Sequence, residues 1–402
     1  MTRSLKTRLS AMMFLEYAVP GATLPILSLY LKNFLHFEPY QVGLVMAMPA
    51  VAATVAPLVA SHVADRYMSA ERMLVLCHVC SAAVMLVLSR LSTFPAFLSV
   101  YFVYGLCFTP TFGLTNAVAL HHTPDARREF GGIRMWGTIG WVVVAWAFGY
   151  GWLSGAGEGV SRIPDALLLS AAGSVVLAAY ALTFTPAQHG AADSKPASYL
   201  DVLRVFARPS LVLLTITTFL NSICHQFYYF GMSPYMSQNG FADKHIMPVM
   251  SIGQMTEVLL LGLLGWCLVR LGMKRAMIIA VLAQSLRYTI FAIGGSHVLI
   301  AAGISLHGIC YAFYFTTAYL YLDQHSTRET RAGAQQVLTV MIAGFGTLAG
   351  FVLAGYTAQF FTIGESGLID YQKFWLVPVV LSLAIALSLA LGFREEATGE
   401  RA

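Results

Sequence analysis

Charged residues are scarce in this chain of 402 residues, where Asp, Glu, Lys and Arg make up 11% of the sequence and hydrophobic residues 57%. A soluble domain keeps a polar surface and carries roughly 25% charged residues. The low charge and the mean hydropathy of +0.69 therefore exclude a soluble domain. The chain also lacks a His-rich box and a Gly-x-Ser-x-Gly elbow, which argues against a membrane enzyme.

Cysteine is scarce as well, with 6 residues, and all of them fall inside apolar runs, where structural disulfides are not expected. Residues 77–80 read CHVC, a spacing that occurs in metal and redox sites. One such motif without a second pair of ligands does not complete a zinc site. We therefore expect no metal and no bound cofactor.

Apolar runs of about 20 residues, the length that crosses a bilayer, recur along the whole chain. In lipid, only helices and closed barrels satisfy their own backbone hydrogen bonds. We predict an all-α membrane protein with twelve transmembrane helices in two six-helix bundles, the major facilitator fold. The predicted spans are approximately 11–34, 41–63, 72–92, 96–120, 131–153, 164–185, 210–235, 246–269, 275–295, 298–322, 332–361 and 372–393.

The basic residues alternate between the loops in the way that membrane topology requires. Of the 24 Lys and Arg residues, 17 fall on one side of the predicted spans and 5 on the other, with Arg134 and Arg287 inside spans. The basic side is the cytoplasmic side, so we expect both termini to be cytoplasmic. The net charge of +5 is then a topology signal and gives no indication of nucleic-acid binding.

The polar connection at residues 186–209 is the longest in the chain and marks the predicted boundary between the halves. The N-terminal bundle is expected at 1–185 and the C-terminal bundle at 210–402. Charged loops follow the second helix of each half, reading SHVADRYMSAER at 61–72 and GWCLVRLGMKR at 265–275, as an internal repeat predicts. We expect the first loop to gate movement through charge pairs. Its gating residues are Asp65, Arg66 and Arg72.

Residues 131–141 read GGIRMWGTIGW and place a guanidinium about one turn into a predicted span. A charge at that depth costs about 2.5 to 3.5 kcal/mol on the insertion scale. At helical spacing Arg134, Thr138 and Trp141 share one face, while Gly137 and Gly140 lie on another, where a neighbouring helix can approach closely. The polar face predicts a cavity lining. The alternative is a buried ion pair that only ties helices together.

Three further polar stripes occupy predicted spans of the C-terminal half. They are Asn221, His225 and Tyr228; Ser251, Gln254 and Glu257; and His307 and Tyr311. Each stripe alone is compatible with a satisfied core network, but together they predict a polar cavity shared with the Arg134 helix and lined by aromatic rings for a flat substrate.

Two other charges lie within or near spans. Glu16, in the first predicted helix, is expected either to face the cavity or to pair with another charge. Arg287, in the ninth, is expected to be structural and peripheral.

Several of these segments together resemble the bacterial nucleoside:proton symporters of the major facilitator superfamily. The matching segments are DRYMSAE at 65–71, CH at 77–78, RMWGTIG at 134–140, QMTE at 254–257, RAGAQ at 331–335 and GFG at 344–346. The resemblance runs in order along almost the entire chain. It implies a multi-pass protein of the bacterial inner membrane that imports nucleosides by alternating access, with the proton as coupling ion. A monomer is adequate for this architecture.

The resemblance also assigns roles. Arg134, Thr138, Gln254 and Glu257 match positions that hold the nucleoside, and Trp141 matches an aromatic one. We expect Glu257 to carry the proton, with Glu16 as the second candidate.

Elsewhere the match is weaker. His225 and Tyr228 stand where the family has Gln and Asn, His307 and Tyr311 stand where it has Tyr and Phe, and Glu16 replaces an amide. These exchanges change the hydrogen bonds that a base or ribose can make, so a modified nucleoside or another solute is an alternative substrate.

The sequence around Arg134 is also similar to the sugar-binding helix of lactose permeases, in which Glu257 and His307 have counterparts. A proton-coupled permease for sugars or small aromatic acids is therefore the alternative function. A lipid flippase on the same fold is a further alternative.

Overall fold

The computed structural model describes residues 3–123, 125–155, 157, 160–185 and 198–395, without the side chains of residues 3, 57–66, 126–128, 199 and 365. Almost all of this is helical. The helices are α1 (Arg3–Thr23), α2 (Leu27–Asn33), α3 (Pro39–Arg66), α4 (Ala70–Leu88), α5 (Phe94–His122), α6 (Ala126–Trp146), α7 (Asp165–Ala181), α8 (Tyr199–Val205), α9 (Pro209–Gln238), α10 (Asp243–Met250), α11 (Ile252–Leu271), α12 (Met273–Ile293), α13 (His297–Ser305), α14 (His307–Cys310), α15 (Thr317–Gln324), α16 (Arg331–Thr339), α17 (Thr347–Phe360) and α18 (Tyr371–Gly392).

Within the described residues, ten helical stretches are long and apolar enough to cross a membrane. They are Ser4–Asn33, Pro39–Ala56, Ala70–Leu88, Phe94–His122, Pro209–Gln238, Asp243–Leu271, Met273–Ile293, His297–Gln324, Arg331–Phe360 and Tyr371–Gly392. Helix α7 is apolar but shorter. This is the helical membrane protein that the composition predicts.

Wider π-helical turns occur in three of the helical stretches. They are Ala147–Trp152 after α6, Tyr311–Thr316 between α14 and α15, and Val340–Gly346 between α16 and α17. Such turns shift the side chains that follow and are frequent at functional sites. No local pattern in the sequence indicated them.

A short hairpin precedes the last helix and departs from the all-α expectation. Strands β1 (Thr362–Ile363) and β2 (Leu368–Ile369) pair antiparallel, with Thr362 opposite Ile369. Asp370 then caps α18, where its side chain accepts a hydrogen bond from the backbone N–H of Lys373 at 3.2 Å.

The described chain divides into two compact units. The first comprises residues up to Ala192 together with Tyr229–Ser251, and the second comprises Asp193–Tyr228 and the residues from Ile252 onward. The long helix α9 contributes to both. The predicted boundary at 186–209 stays a prediction, and residues 186–197 of it lie outside the described residues.

In the first unit, α1 packs along α6 and α7, α3 packs along α5, and α4 packs on α5 and α7. The glycines of α6 allow its close approach to α1, as the sequence predicted. A Cβ atom added at Gly140 would lie 2.1 Å from the carbonyl oxygen of Phe14, and one at Gly137 would lie 2.6 Å from the ring of Tyr17.

Residues Tyr229–Ser251 belong to this first unit through hydrogen bonds to its other helices. Ser28 donates to the carbonyl oxygen of Phe230 at 2.5 Å, and the indole N–H of Trp146 donates to the hydroxyl of Ser251 at 2.9 Å. The hydroxyl of Ser161 donates to a carboxylate oxygen of Asp243 at 2.5 Å.

In the second unit, α12 packs along α18, and α11 packs on α14. Gly308 of α14 allows the closest approach, because a Cβ atom there would lie 2.4 Å from the backbone nitrogen of Glu257. This contact holds the backbone of one predicted functional residue directly against the helix that begins with His307.

Candidate functional site

A buried arginine lies at the centre of the polar cluster of the second unit. Arg287 of α12 is 0% exposed and donates to Nδ1 of His307 at 2.8 Å and to the hydroxyl of Tyr288 at 2.9 Å. Its guanidinium also lies over the rings of Tyr228 and Tyr288, at 5.0 and 4.6 Å from their centroids. The expectation that Arg287 is peripheral is therefore wrong, because four aromatic or imidazole contacts place it inside the cluster of predicted site residues.

No described carboxylate lies within ion-pair distance of Arg287. An isolated buried cation is costly unless hydrogen-bond acceptors and ring faces replace water around it. The imidazole of His307, the hydroxyl of Tyr288 and two phenol rings fill that role here. The hydroxyl of Tyr288 in turn donates to the carbonyl oxygen of Cys224 at 2.5 Å, which ties the arginine to α9.

Four predicted site residues meet around this arginine. The ring of His307 lies 5.0 Å from the rings of both His225 and Tyr228, and Tyr311 lies 5.8 Å from His225. Tyr228 is fully buried, whereas Tyr311 is 38% exposed and begins a π-helical turn. Tyr311 is thus the exposed ring of this cluster, and His225, Tyr228 and His307 are buried.

Helix α11 supplies the remaining predicted residues of this unit. Gln254 is buried, and its Oε1 has no hydrogen-bond partner among the described residues. Glu257 is half-buried one turn later. An amide oxygen and a carboxylate on one helix, beside the His307 helix, are groups that can bind the edges of a base or ribose.

Asn221 proves to belong to a separate core network. Gln284 donates to its side-chain oxygen at 2.9 Å and contacts the hydroxyl of Ser382 at 3.3 Å. All three side chains are buried, so this part of the predicted stripe joins α9, α12 and α18.

In the first unit, the predicted stripe on α6 is half-buried and faces α1. The guanidinium of Arg134 lies over the ring of Tyr17, 4.0 Å from its centroid. Trp141 packs at Gly21, where an added Cβ atom would lie 3.1 Å from its Cα. Thr138 lies between them on the same helix and is also half-buried.

Glu16 is buried and hydrogen-bonded to side chains of α4 and α5. Its Oε2 lies 3.0 Å from Nε2 of His78, and both side chains are 0% exposed. Thr111 donates to its Oε1 at 2.6 Å, and Thr115 donates to its Oε2 at 2.9 Å. His78 belongs to the CHVC motif, so its pairing with Glu16 gives that motif a role other than metal binding.

The charged loops are described only in part. The side chains of Asp65 and Arg66 lie outside the described residues, so their predicted gating role stays a prediction. Arg72 is exposed in the first turn of α4, where its backbone N–H donates to the capping hydroxyl of Ser69 at 3.4 Å.

The segment RAGAQ at 331–335, which carries part of the family resemblance, makes a charged contact with α15. Arg331, at the start of RAGAQ, lies 2.9 Å from the carboxylate of Asp323, and Gln335 donates to the same oxygen at 3.1 Å.

The sequence pattern did not indicate His78, Tyr17 and Tyr288 as members of these clusters, and it predicted a peripheral place for Arg287. The partners of these residues lie on other helices, as with Glu16 and His78, 62 positions apart. A helical periodicity identifies the face on which a residue lies but not the helix that faces it. The one usable signal was the presence of Glu16 and His78 in apolar runs, since a charge there requires a partner.

The fold matches that of solved transporters. A crystal structure of the nucleoside transporter NupG superposes with a TM-score of 0.86 at 24% identity, over 98% of this chain and 100% of that one. This defines the class of fold: the protein has the major facilitator fold.

The family model described as "Nucleoside H+ symporter" matches residues 3–398. The chain belongs to this family of proton-coupled nucleoside transporters. Among curated relatives, the putative nucleoside transporter YegT of Escherichia coli (strain K12) is 30% identical over 96% of this chain and 93% of that protein. The xanthosine permease of the same organism is 28% identical over 97% and 96%. These relatives are transporters and not enzymes.

Proposed function

We propose that the protein imports nucleosides across the bacterial inner membrane as a monomer, through twelve helices in two six-helix bundles with both termini in the cytoplasm. The family match along residues 3–398 carries this proposal. The excess of Lys and Arg in alternate loops supports the orientation. The charged loops after the second and eighth predicted helices support the internal repeat.

We propose nucleoside-binding residues for each unit separately. Those of the first unit are Arg134, Thr138 and Trp141, and those of the second are His225, Tyr228, Gln254, Glu257, His307 and Tyr311. Within the second unit, the exposed ring of Tyr311 supports a stacking role against a base. The unpartnered amide oxygen of Gln254 supports a role as acceptor for a ribose hydroxyl or an amino group.

Glu257 is the proposed proton carrier. A protonated carboxyl lets the loaded protein change conformation without moving a bare charge through a site of low dielectric constant. Each proton that enters releases about 2.3 kcal/mol per 100 mV of membrane potential. Its half-buried position on α11, beside α14, is compatible with exchange between a wet and a closed state.

Uptake into proteoliposomes with an imposed pH gradient tests the proposal. The unmodified protein should concentrate a labelled nucleoside, and a panel of purine nucleosides, pyrimidine nucleosides, sugars and aromatic acids as competitors identifies the substrate class. Glu257→Gln should abolish uphill accumulation and retain exchange of nucleoside between the two sides without a gradient. Glu38→Gln, at an exposed carboxyl, is the matched control.

Full uphill uptake by Glu257→Gln would remove Glu257 from this role. Competition by sugars but not by nucleosides would favour the permease alternative. Transfer of labelled lipid between leaflets, with no uptake of any solute, would favour a flippase.

A further inference from the structure

The first unit contains a titratable cluster that the proposed mechanism does not use. Glu16 of α1, His78 of α4, and Thr111 and Thr115 of α5 form a closed hydrogen-bonded group whose four side chains are each at most 1% exposed. A buried carboxyl of this kind either only links three helices by hydrogen bonds or also binds and releases a proton. The possible positions of the hydrogen atoms bear on which of these roles Glu16 has.

Thr111 has one hydroxyl hydrogen and two acceptors within reach. Its Oγ1 lies 2.6 Å from Oε1 of Glu16 and 2.7 Å from the carbonyl oxygen of Phe108. The hydrogen can point to only one of them at a time. When it points to Glu16, it stabilises an ionised carboxylate. When it points to Phe108, the oxygen of Thr111 is left to accept a hydrogen from a protonated Oε1.

His78 acts as a fixed donor in both states. Its Nε2 lies 3.0 Å from Oε2 of Glu16, whereas its buried Nδ1 has no hydrogen-bond partner among the described residues. An imidazolium would carry a hydrogen on Nδ1 with no acceptor, which is costly in a buried place. The neutral imidazole with its hydrogen on Nε2 avoids that cost. A proton that entered this cluster would therefore be held by Glu16.

We propose that Glu16 is a second proton-binding residue of the transport cycle, with Thr111 as the hydroxyl that reorients and His78 and Thr115 as fixed donors. Binding of a proton forms one O–H bond at Oε1 of Glu16. No bond in the cluster is broken, because the hydroxyl of Thr111 only rotates toward the carbonyl oxygen of Phe108. The net charge of the cluster changes from −1 to 0. This inference rests on the proposed function, because it takes the solute that moves with the proton to be a nucleoside.

The surroundings contain few other titratable groups. Those in electrostatic contact with Glu16 are Tyr17 on α1, Cys77 on α4 and Tyr104 on α5. Helix α6 contributes Arg134, through its contact with Tyr17. The buried residues of α7 include no titratable group, and the described side chains of α3 include only Tyr40. Arg134 is thus the one cation among these groups. It contacts Tyr17, the residue that follows Glu16 in α1.

Infrared titration of the purified protein tests the protonation directly. Beside the band of Glu257, the unmodified protein should show a second carbonyl stretch of a protonated carboxyl that disappears as pH rises. This second band should be absent in Glu16→Gln and retained in Glu257→Gln. Glutamine can accept from His78 and donate to Thr111, so Glu16→Gln reproduces the contacts of the loaded state and should fold. Thr111→Val should shift the stretch to higher frequency by removing the acceptor, and Thr111→Ser should not.

Transport supplies the second measurement. The proton-to-nucleoside ratio, obtained from reversal potentials in proteoliposomes, should fall to about half in Glu16→Gln, because one of two coupled protons is lost. Absence of any titrating band assigned to Glu16 would overturn the proposal, and so would an unchanged ratio in a folded Glu16→Gln protein. The infrared measurement needs no nucleoside, so it remains decisive even if another solute proves to be the substrate.

Discussion

Arg287 holds His307 in one tautomer. An arginine only donates hydrogen bonds, so the contact of 2.8 Å between its Nη1 and Nδ1 of His307 makes that nitrogen the acceptor. The hydrogen of the neutral imidazole must then be on Nε2. His307 thereby becomes a fixed donor within the cluster of His225, Tyr228 and Tyr311.

Replacing Arg287 by Met should release this constraint. A hydrogen bond to a charged group contributes about 1.5 to 3 kcal/mol, so we expect nucleoside affinity to fall roughly tenfold or more if His307 contacts the substrate. Nitrogen-15 spectra of histidine-labelled protein should change from a single tautomer to a mixture. Arg287→Lys, which retains a donor, is the matched control. Unchanged affinity in a folded Arg287→Met protein would show that this hydrogen bond does not position a binding group.

The contact between Arg134 and Tyr17 gives a second prediction. A guanidinium over an aromatic ring gains about 0.5 to 2 kcal/mol, so Tyr17→Leu should release Arg134 and weaken nucleoside binding roughly 2- to 30-fold. Tyr17→Phe keeps the ring face and should bind nearly as the unmodified protein does. Equilibrium binding to purified protein measures both. Equal losses in the two variants would assign the effect to the hydroxyl of Tyr17 instead.

The close packing of α1 on α6 predicts a stability effect at Gly140. An added methyl group there meets the backbone of Phe14 and not a movable side chain, so the helices must separate. We expect Gly140→Ala to destabilise the protein by about 1 to 3 kcal/mol. Gly132→Ala on the same helix meets nothing within 4 Å and serves as the control. Thermal unfolding in detergent should show a lower Tm for Gly140→Ala alone, and equal Tm values would contradict the packing argument.

Asp370 predicts a pH dependence at the start of α18. Its hydrogen bond and ion pair with Lys373, at 3.2 and 3.0 Å, lower the pKa of the Asp370 carboxyl below its usual value. The stabilisation is therefore present above the usual pKa of aspartate and is lost as pH falls through the lowered pKa of the folded state. Stability measured against pH should show this loss in the unmodified protein.

Asp370→Asn keeps a capping side chain and removes the charge, so the part of the loss that comes from Asp370 should disappear in this variant. Asp370→Ala should destabilise the protein by about 0.5 to 2 kcal/mol near neutral pH. An identical acid dependence in Asp370→Asn and the unmodified protein would show that other carboxyl groups cause it.

Much of the fold follows from local properties of the chain. An apolar run of membrane-spanning length must satisfy its backbone internally, so composition alone predicts helices such as α5 and α12. The break between α1 and α2 lies next to Pro20 and Pro25, where the missing backbone N–H of proline disfavours a continuous helix. The close approach of Gly140 to α1 was predictable too, but the separation of the glycine face from the Arg134 face was not, because Gly137 and Arg134 both lie against Tyr17 of α1.

The amino-acid sequence by itself determined the membrane class, the positions of the helices and the residues that had to find polar partners, because these depend on composition and helical period. Only the tertiary structure decided which partners they found. Glu16 pairs with His78, and Arg287 pairs with His307, through contacts between helices separated along the chain. The physical reason is that a buried charged side chain needs a polar partner, but its own sequence does not specify which residue that partner is. The packing of the helices selects the partner.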